Sequence, residues 1–382
     1  LYGLGGISRY SFLDGRLRFL LGLRFQIDGT LVAPSDRLEQ DLGEMPEGFD
    51  ARRFRLFAEG IWGSMYFRAE FDFATDIGFK SAYLEGREGG LAVWDYLLGK
   101  FRYGLIQEPF SLENNVSSFD TTFAEVSMPI AAIGPGVNIG AMVYDASPSR
   151  KFTWAVGTFT LGQDTEDNAS RSVLSLSGRF GYNPTQSNDT ENVLNLGASL
   201  STRTPTDDSL RYQARPEARF VRTFADTGDV TSNRVTLYGV DAAWRHRDSW
   251  AQVEGIRSNI DTPTGTEHVG GYVVQVGHFL TGMSRPWDDL FGAWGRVRPD
   301  RKYSGGNPFK ASNGGEWEVA ARYSVLDLKD ETIDGGEVRN LTVGVNWYPA
   351  DTWKLQFNWV HSRVEDSGYA NIWILRYQFF VR

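Results

Sequence analysis

The chain has 382 residues, a formal charge of -9, 12 Trp, 16 Tyr, 25 Phe and no Cys. This apolar content supports a folded body, and the missing thiols exclude disulfide scaffolds, Cys-ligated metal centres and a thiol nucleophile. No run approaches the roughly 18 to 20 apolar residues of a spanning helix, and a net acidic chain argues against nucleic acid as a partner.

Two-residue alternation recurs from end to end, which predicts strands and an all-β fold. In Leu17 to Ile27, Leu17, Phe19, Leu21, Leu23, Phe25 and Ile27 oppose Arg16, Arg18, Gly22, Arg24 and Gln26. Arg53 and Arg55 take the polar parity of the next run. Met65 to Phe73 then repeats the pattern, with Met65, Phe67, Phe71 and Phe73 opposing Tyr66, Arg68, Glu70 and Asp72. Lys100 and Arg102 follow on the polar parity. A long segment without alternation, Glu108 to Val137, carries Glu108, Pro109, Phe110, Glu113 and Glu125.

Farther on, Arg211, Gln213, Arg215, Glu217 and Arg219 put three arginines on one face of what reads as a strand, a ladder along one wall. Arginine forks suit phosphate or carboxylate oxygens, and a row of weak sites lets an anion enter and leave. The competing reading pairs such arginines with acids that brace the wall. The alternation is clear again at Trp317 to Val325, Leu341 to Trp347, Trp353 to Trp359 and Trp373 to Val381.

A soluble sandwich also alternates, but two features point to a membrane. Aromatics such as Trp62, Trp154, Trp244, Trp317, Trp347, Trp353, Trp373 and Tyr377 mark the ends of the apolar faces, as expected of interface girdles. Tight turns (Gly60 to Ser64, Ala146 to Arg150, Arg245 to Asp248, Pro349 to Asp351) alternate with long segments, among them Leu161 to Arg171, Asp261 to His268 and Thr281 to Gly315. The expectation is one domain over 1–382: a transmembrane antiparallel β-barrel of sixteen strands, with eighteen as the alternative. It would have short periplasmic turns, long extracellular loops and both termini on the periplasmic side. Its expected surroundings are outer-membrane lipid and lipopolysaccharide.

Sorted by parity, sixteen basic residues face the lumen against nine acidic ones, and the remaining acids concentrate in loops. The bore is expected to be basic although the chain is acidic. The four His are scattered, and neither a Gly-x-Ser-x-Gly elbow nor a His-Glu-x-x-His motif occurs, so no enzyme and no cofactor is expected. Asp164, Glu166, Asp167 and Asn168 cluster oxygens, which reads as a solvated loop ahead of a calcium site.

Gln107-Glu108-Pro109-Phe110-Ser111-Leu112-Glu113, Phe123-Ala124-Glu125 and Gly134-Pro135-Gly136-Val137-Asn138-Ile139-Gly140 resemble the phosphate-selective porin O and P family. So do Phe279-Leu280-Thr281-Gly282, Ala321-Arg322-Tyr323-Ser324 and Asn340 to Tyr348, and the resemblance covers nearly the whole chain. It implies a homotrimeric outer-membrane porin of sixteen strands that passes small anionic solutes, with Glu108 to Val137 folded into the channel as a constriction loop. By the same resemblance Arg52, Arg53 and Arg55 line the narrow zone, although Arg52 falls on the lipid parity, and Arg211, Arg215 and Arg219 form the anion staircase. Gln107 stands where the family typically has Lys, which favours broad anion permeability over phosphate alone. A weakly selective porin, or a structural protein that binds envelope components through its loops, is the alternative.

Overall fold

The computed structural model describes residues 9–12, 16–74, 77–86, 99–160, 172–185, 191–308 and 313–381. In chain order the strands are β1 (Arg9–Phe12), β2 (Leu17–Pro34), β3 (Gly48–Trp62), β4 (Met65–Asp72), β5 (Gly78–Gly86), β6 (Lys100–Gln107), β7 (Val137–Ala146) and β8 (Phe152–Thr160). Then come β9 (Ser172–Tyr182), β10 (Asn192–Pro205), β11 (Ser209–Leu210), β12 (Gln213–Ala214), β13 (Ala225–Asp226), β14 (Val230–Thr231), β15 (Arg234–His246) and β16 (Ser249–Thr262). The series ends with β17 (Gly265–Phe279), β18 (Trp287–Asp288), β19 (Ala293–Trp294), β20 (Glu316–Lys329), β21 (Asp334–Ala350), β22 (Trp353–Val364) and β23 (Gly368–Val381).

Sixteen of these strands pair antiparallel with their neighbours and close, β23 against β2, from Leu23↔Val381 to Pro34↔Ala370. Below that stretch β1 takes over the same edge of β2, from Arg9↔Leu20 to Phe12↔Leu17. The two strands share one position in the wall, so the extra strand leaves the barrel at sixteen. Closure pairs every wall strand on both sides, the condition for a sheet to stand in hydrocarbon.

The side chains are sorted inside out. Leu31, Leu56, Leu200, Val240, Val274 and Leu375 are exposed, while Gln26, Asp28, Ser201, Asn340 and Arg376 are buried. The apolar parity therefore faces lipid, where an Arg or Lys at mid-depth would cost about 2–4 kcal/mol. On the outer face Trp317 stacks on Trp347 (5.5 Å between ring centroids), Trp347 meets Trp353 edge-on, and Trp353 contacts Tyr377. These rings gather near the short-turn end and form the girdle that the sequence predicts.

The connections correct two expectations. Residues 263–264, inside the segment read as a long loop, form a tight hairpin between β16 and β17. Thr281 to Gly315 is long but lies at the end that carries the tight turns 63–64, 147–151, 247–248 and 351–352, because β17 runs toward that end and β20 away from it. The rule of long loops at one end fails here: length does not reveal direction, whereas counting strands does. The hairpin β18–β19 in this connection folds up into the bore. Phe291 stacks on Tyr144 of β7 at 5.3 Å, Trp294 Nε1 donates to Gln252 Oε1 of β16 at 2.6 Å, and the Arg296 guanidinium lies 3.8 Å over the Phe380 ring of β23. Phe291 to Val297 is part of this plug. The acidic loop 161–171 lies outside the described residues.

Two further connections enter the bore from the opposite end. Residues 108–136 are held by wall residues on both sides. Glu254 of β16 accepts Ser111 Oγ (2.6 Å), Leu112 N (3.0 Å) and Glu113 N (2.7 Å). Across the bore, Asn358 Oδ1 accepts Ala124 N (2.7 Å), while Asn346 Nδ2 and Lys354 Nζ donate to Thr122 O and Thr121 O, both at 2.8 Å. The loop returns through a short helix, Met128–Ile133, seated over β17 where Gly271 leaves room: a Cβ there would stand 2.6 Å from Pro129 Cβ. The second insert is 206–233.

That second insert overturns the strand ladder. Arg211 to Arg219 is not a wall strand; apart from the two-residue β12 it is irregular, and Tyr212, Ala214, Ala218, Val221 and Phe224 bury against the interior cluster. Glu217 adopts a left-handed φ of 57°, which turns its carboxylate to Ser324 Oγ (2.6 Å), Thr342 Oγ1 (2.8 Å) and Arg322 of the wall. The apparent alternation comes from a loop that packs apolar residues inward at a similar spacing, so strand rise does not set the arginine positions.

Candidate anion pathway

The inserts and the wall enclose a cleft of about 320 Å³ between the helix Met128–Ile133, its Gly134–Val137 neck and strands β3 and β5. Five basic residues line it: Arg52, Arg53, Lys80, Arg215 and Arg219. Arg215 and Arg219 also line an outer vestibule of about 820 Å³, whose other walls include Asp41, Glu47 and Asp50. The two spaces therefore share their arginines.

Two β-bulges bring cations to the cleft. In the β2–β3 ladder Gln26 pairs with Arg53 and Ile27 with Ala51, which leaves Arg52 as the extra residue. In the β4–β5 ladder Glu70 pairs with Ser81 and Phe71 with Phe79, which leaves Lys80. A bulged residue escapes strict alternation. Arg52, on the lipid parity by counting, thus turns inward and grips Glu125 with Nε–Oε1 at 2.7 Å and Nη2–Oε2 at 2.9 Å. Arg53 keeps the inward parity, 3.8 Å from the same carboxylate, and donates to Gln26.

Glu125 is the counter-charge of Arg52 and Arg53, and Glu217 of the second insert also lines the cleft. Arg376 also donates to Glu125 (2.7 Å) while holding Asp28 in two bonds of 2.6 Å. The other acids expected in the constriction loop serve as anchors. Glu108 is fully buried and accepts Asn138 Nδ2 (2.6 Å) and Arg203 Nη2 (3.0 Å), Glu113 accepts Ser127 N (3.2 Å), and Pro109 and Phe110 are buried beside them. Because 108–136 carries Glu108, Glu113 and Glu125 inside, the bore is closer to charge balance than wall parity alone suggests. Gln107 ties the neck of the insert, its amide donating to Pro135 O (2.9 Å) and Gly136 O (3.1 Å).

The remaining expected cations separate into groups. Arg24 and Arg55 face each other in register below the cleft and join a carboxylate network: Arg55 to Asp72 at 2.6 Å and Glu70 at 3.1 Å, and Arg24 to Glu70 at 3.3 Å. Arg68 completes it with Glu59 at 2.6 Å. Arg102 pairs with Glu85 at 2.6 Å and lies 4.4 Å over the Tyr83 ring. For these residues the bracing geometry is what the structure displays. Arg18 and Lys100 stand at the short-turn ends of β2 and β6, away from the cleft. Arg211 is exposed and clamps Asp226 (Nε–Oδ1 2.8 Å); this bond, joined by those from Gln213 and Gly228 N, outweighs partial burial and holds the Asp226 carboxyl down at about 2.

Counting by parity misses Lys80, and a signal was present. The exposed apolar residues shift from odd to even positions between Phe79 and Leu84, and between Phe49 and Phe54, which a regular strand cannot do. Arg285 and Arg296 of the plug are also missed, because nothing local shows that their segment enters the bore.

The model of the phosphate-selective porin O and P family matches residues 19–374. An uncharacterised protein of Caulobacter vibrioides is 26% identical over 369 residues, covering 91% of this chain and 69% of that one. Porin O of Pseudomonas aeruginosa is 22% identical over 383 residues, covering 89% and 83%. Among solved structures, the anion-selective porin from Comamonas acidovorans superposes with a TM-score of 0.59 at 11% identity, over 95% of this chain and 99% of that one. The in-vitro folded OmpT of Vibrio cholerae in its trimer form gives 0.54 at 10% identity, over 95% and 99%. At such identities these structures bear on the fold alone.

Proposed function

The chain belongs to the phosphate-selective porin O and P family of outer-membrane channels, and on that premise we propose that it is a passive diffusion channel favouring anions. The observation that carries this reading is the convergence of Arg52, Arg53, Lys80, Arg215 and Arg219 on one cleft, two of them continuing into the outer vestibule. An anion meets Arg215 and Arg219 first, then the bulge cations, then the braced arginines below. A low-dielectric wall focuses that local excess, and several partial neutralisations in series allow release. Acids in the outer loops farther than about 8–10 Å from the cleft are screened at physiological salt, whereas Asp41, Glu47 and Asp50 share the vestibule with Arg215 and Arg219.

Selectivity for phosphate alone is not part of the proposal. Glu125 already occupies the Arg52 fork, and Gln107 is engaged with the loop neck, so the cleft favours anions as a class. Assembly as a homotrimer follows the family and the trimer form of the Vibrio protein, and sizing of the detergent-solubilised protein tests it. Reversal potentials in planar bilayers with chloride, phosphate and larger oxyanions test the channel; cation selectivity would overturn the reading. Replacing Arg215 and Arg219 together by Ala should lower the anion-to-cation permeability ratio severalfold, whereas an unchanged ratio would remove the second insert from the pathway.

A further inference from the structure

We propose that the cleft favours monocarboxylates that carry a compact apolar body, of the size of one aromatic ring, over small inorganic oxyanions. This deepens the anion-channel reading and rests on it.

The two walls of the cleft are unlike. The cations stand on β3, β5 and the second insert, whereas the first insert adds the apolar Val126, Ile130, Ala131, Pro135 and Val137 beside Asn114 and Glu125. Ala131 is exposed, whereas Met128, Ile130, Ala132 and Ile133 around it are buried. The helix therefore spends its larger side chains on the interior cluster and offers the cleft a short methyl surface. A hydrated inorganic anion that reaches the arginines must give up water to that surface and recovers nothing from it. An anion with an apolar body places its carboxylate on the cations and its ring on Val126 and Ala131, removing apolar area from water on both sides.

Size and charge narrow the class. The cleft, about 320 Å³, is at the lower limit of small-molecule pockets, roughly 300 Å³. Glu125 and Glu217 both line the cleft, so each further charge on the solute adds repulsion from these carboxylates. A monoanion suits this cleft better than a dianion.

The test uses the full-length protein in planar bilayers carrying chloride current, with acetate, benzoate and inorganic phosphate added in turn and the half-blocking concentration of each recorded. Benzoate should block at about one-tenth the acetate concentration, the ratio expected for burying half of a ring, and phosphate should need more than benzoate. Val126→Thr combined with Ala131→Ser keeps the shape and polarises the wall, and it should bring the acetate-to-benzoate ratio toward one. Equal acetate and benzoate values, or tighter block by phosphate, in a channel that remains anion-selective would overturn this inference alone. Cation selectivity in the same membranes would instead remove the anion-channel reading beneath it.

Discussion

In the proposed anion pathway, Glu125 and the arginines around it set how strongly the cleft holds an anion. The carboxylate accepts two bonds from Arg52 and one from Arg376, and it is the acid that a solute must displace or tolerate. Glu125→Gln keeps the shape and removes the charge; the anion-to-cation permeability ratio should rise severalfold, read as a larger reversal potential in a chloride gradient. Arg376 keeps Asp28 as a partner and Arg53 keeps Gln26. Arg211 behaves differently, since it is exposed and serves the loop through Asp226. The folded carboxyl value of about 2 lies below the ordinary carboxylate range, so the clamp contributes fully above that range and is lost as pH falls through about 2. Pepsin at pH 4 should cut the 206–233 insert faster in Asp226→Ala than in the parent chain, and the two rates should converge near pH 2.

At the scale of elements, the bore is shaped by three connections rather than by the wall. Residues 108–136 and 206–233 descend from one end and the β18–β19 hairpin rises from the other. Each is fixed by wall side chains that alternation alone would assign to water. Glu254 shows the logic: as a lumen carboxylate it could have met solute, yet it satisfies two backbone N–H groups and one hydroxyl of the first insert. The rising hairpin crosses from β7 to β23 beneath that insert. Replacing residues 284–297 by a Gly-Ser linker should raise single-channel conductance and leave the barrel folded, because every wall strand keeps both neighbours; unchanged conductance would mean that the solute path bypasses the plug.

Over the whole molecule, the acidic total is compatible with the proposed anion preference because the charges occupy different dielectric surroundings. The exposed acids sit in water, and the cleft cations sit between low-dielectric walls. Selectivity should then fall as ionic strength rises from about 0.1 to 1 M, where the screening length shortens from about 10 to 3 Å; a permeability ratio that stays constant over that range would point to size rather than charge as the filter. The interior is not a simple basic tube, however, because the first insert adds Glu108, Glu113 and Glu125 to the wall acids.

Much of the wall was legible before any coordinates. Period-two alternation needs only the pleat, and the pleat acts residue by residue, so strand parity, the aromatic girdle and the closed barrel followed from the chain itself. The inward positions of Arg24, Arg53 and Arg55 were readable for the same reason. The bulges at Arg52 and Lys80, the loop nature of Arg211 to Arg219 and the upward turn of Thr281 to Gly315 depend on partners far along the chain. A bulge exists only relative to the register of its neighbour, and an inserted loop is defined by the wall that receives it. The sequence by itself determined the container and the inward parity of its regular strands; tertiary structure decided where bulges shift that parity, which inward residues brace the wall and which hold the inserts, because those assignments are long-range pairings.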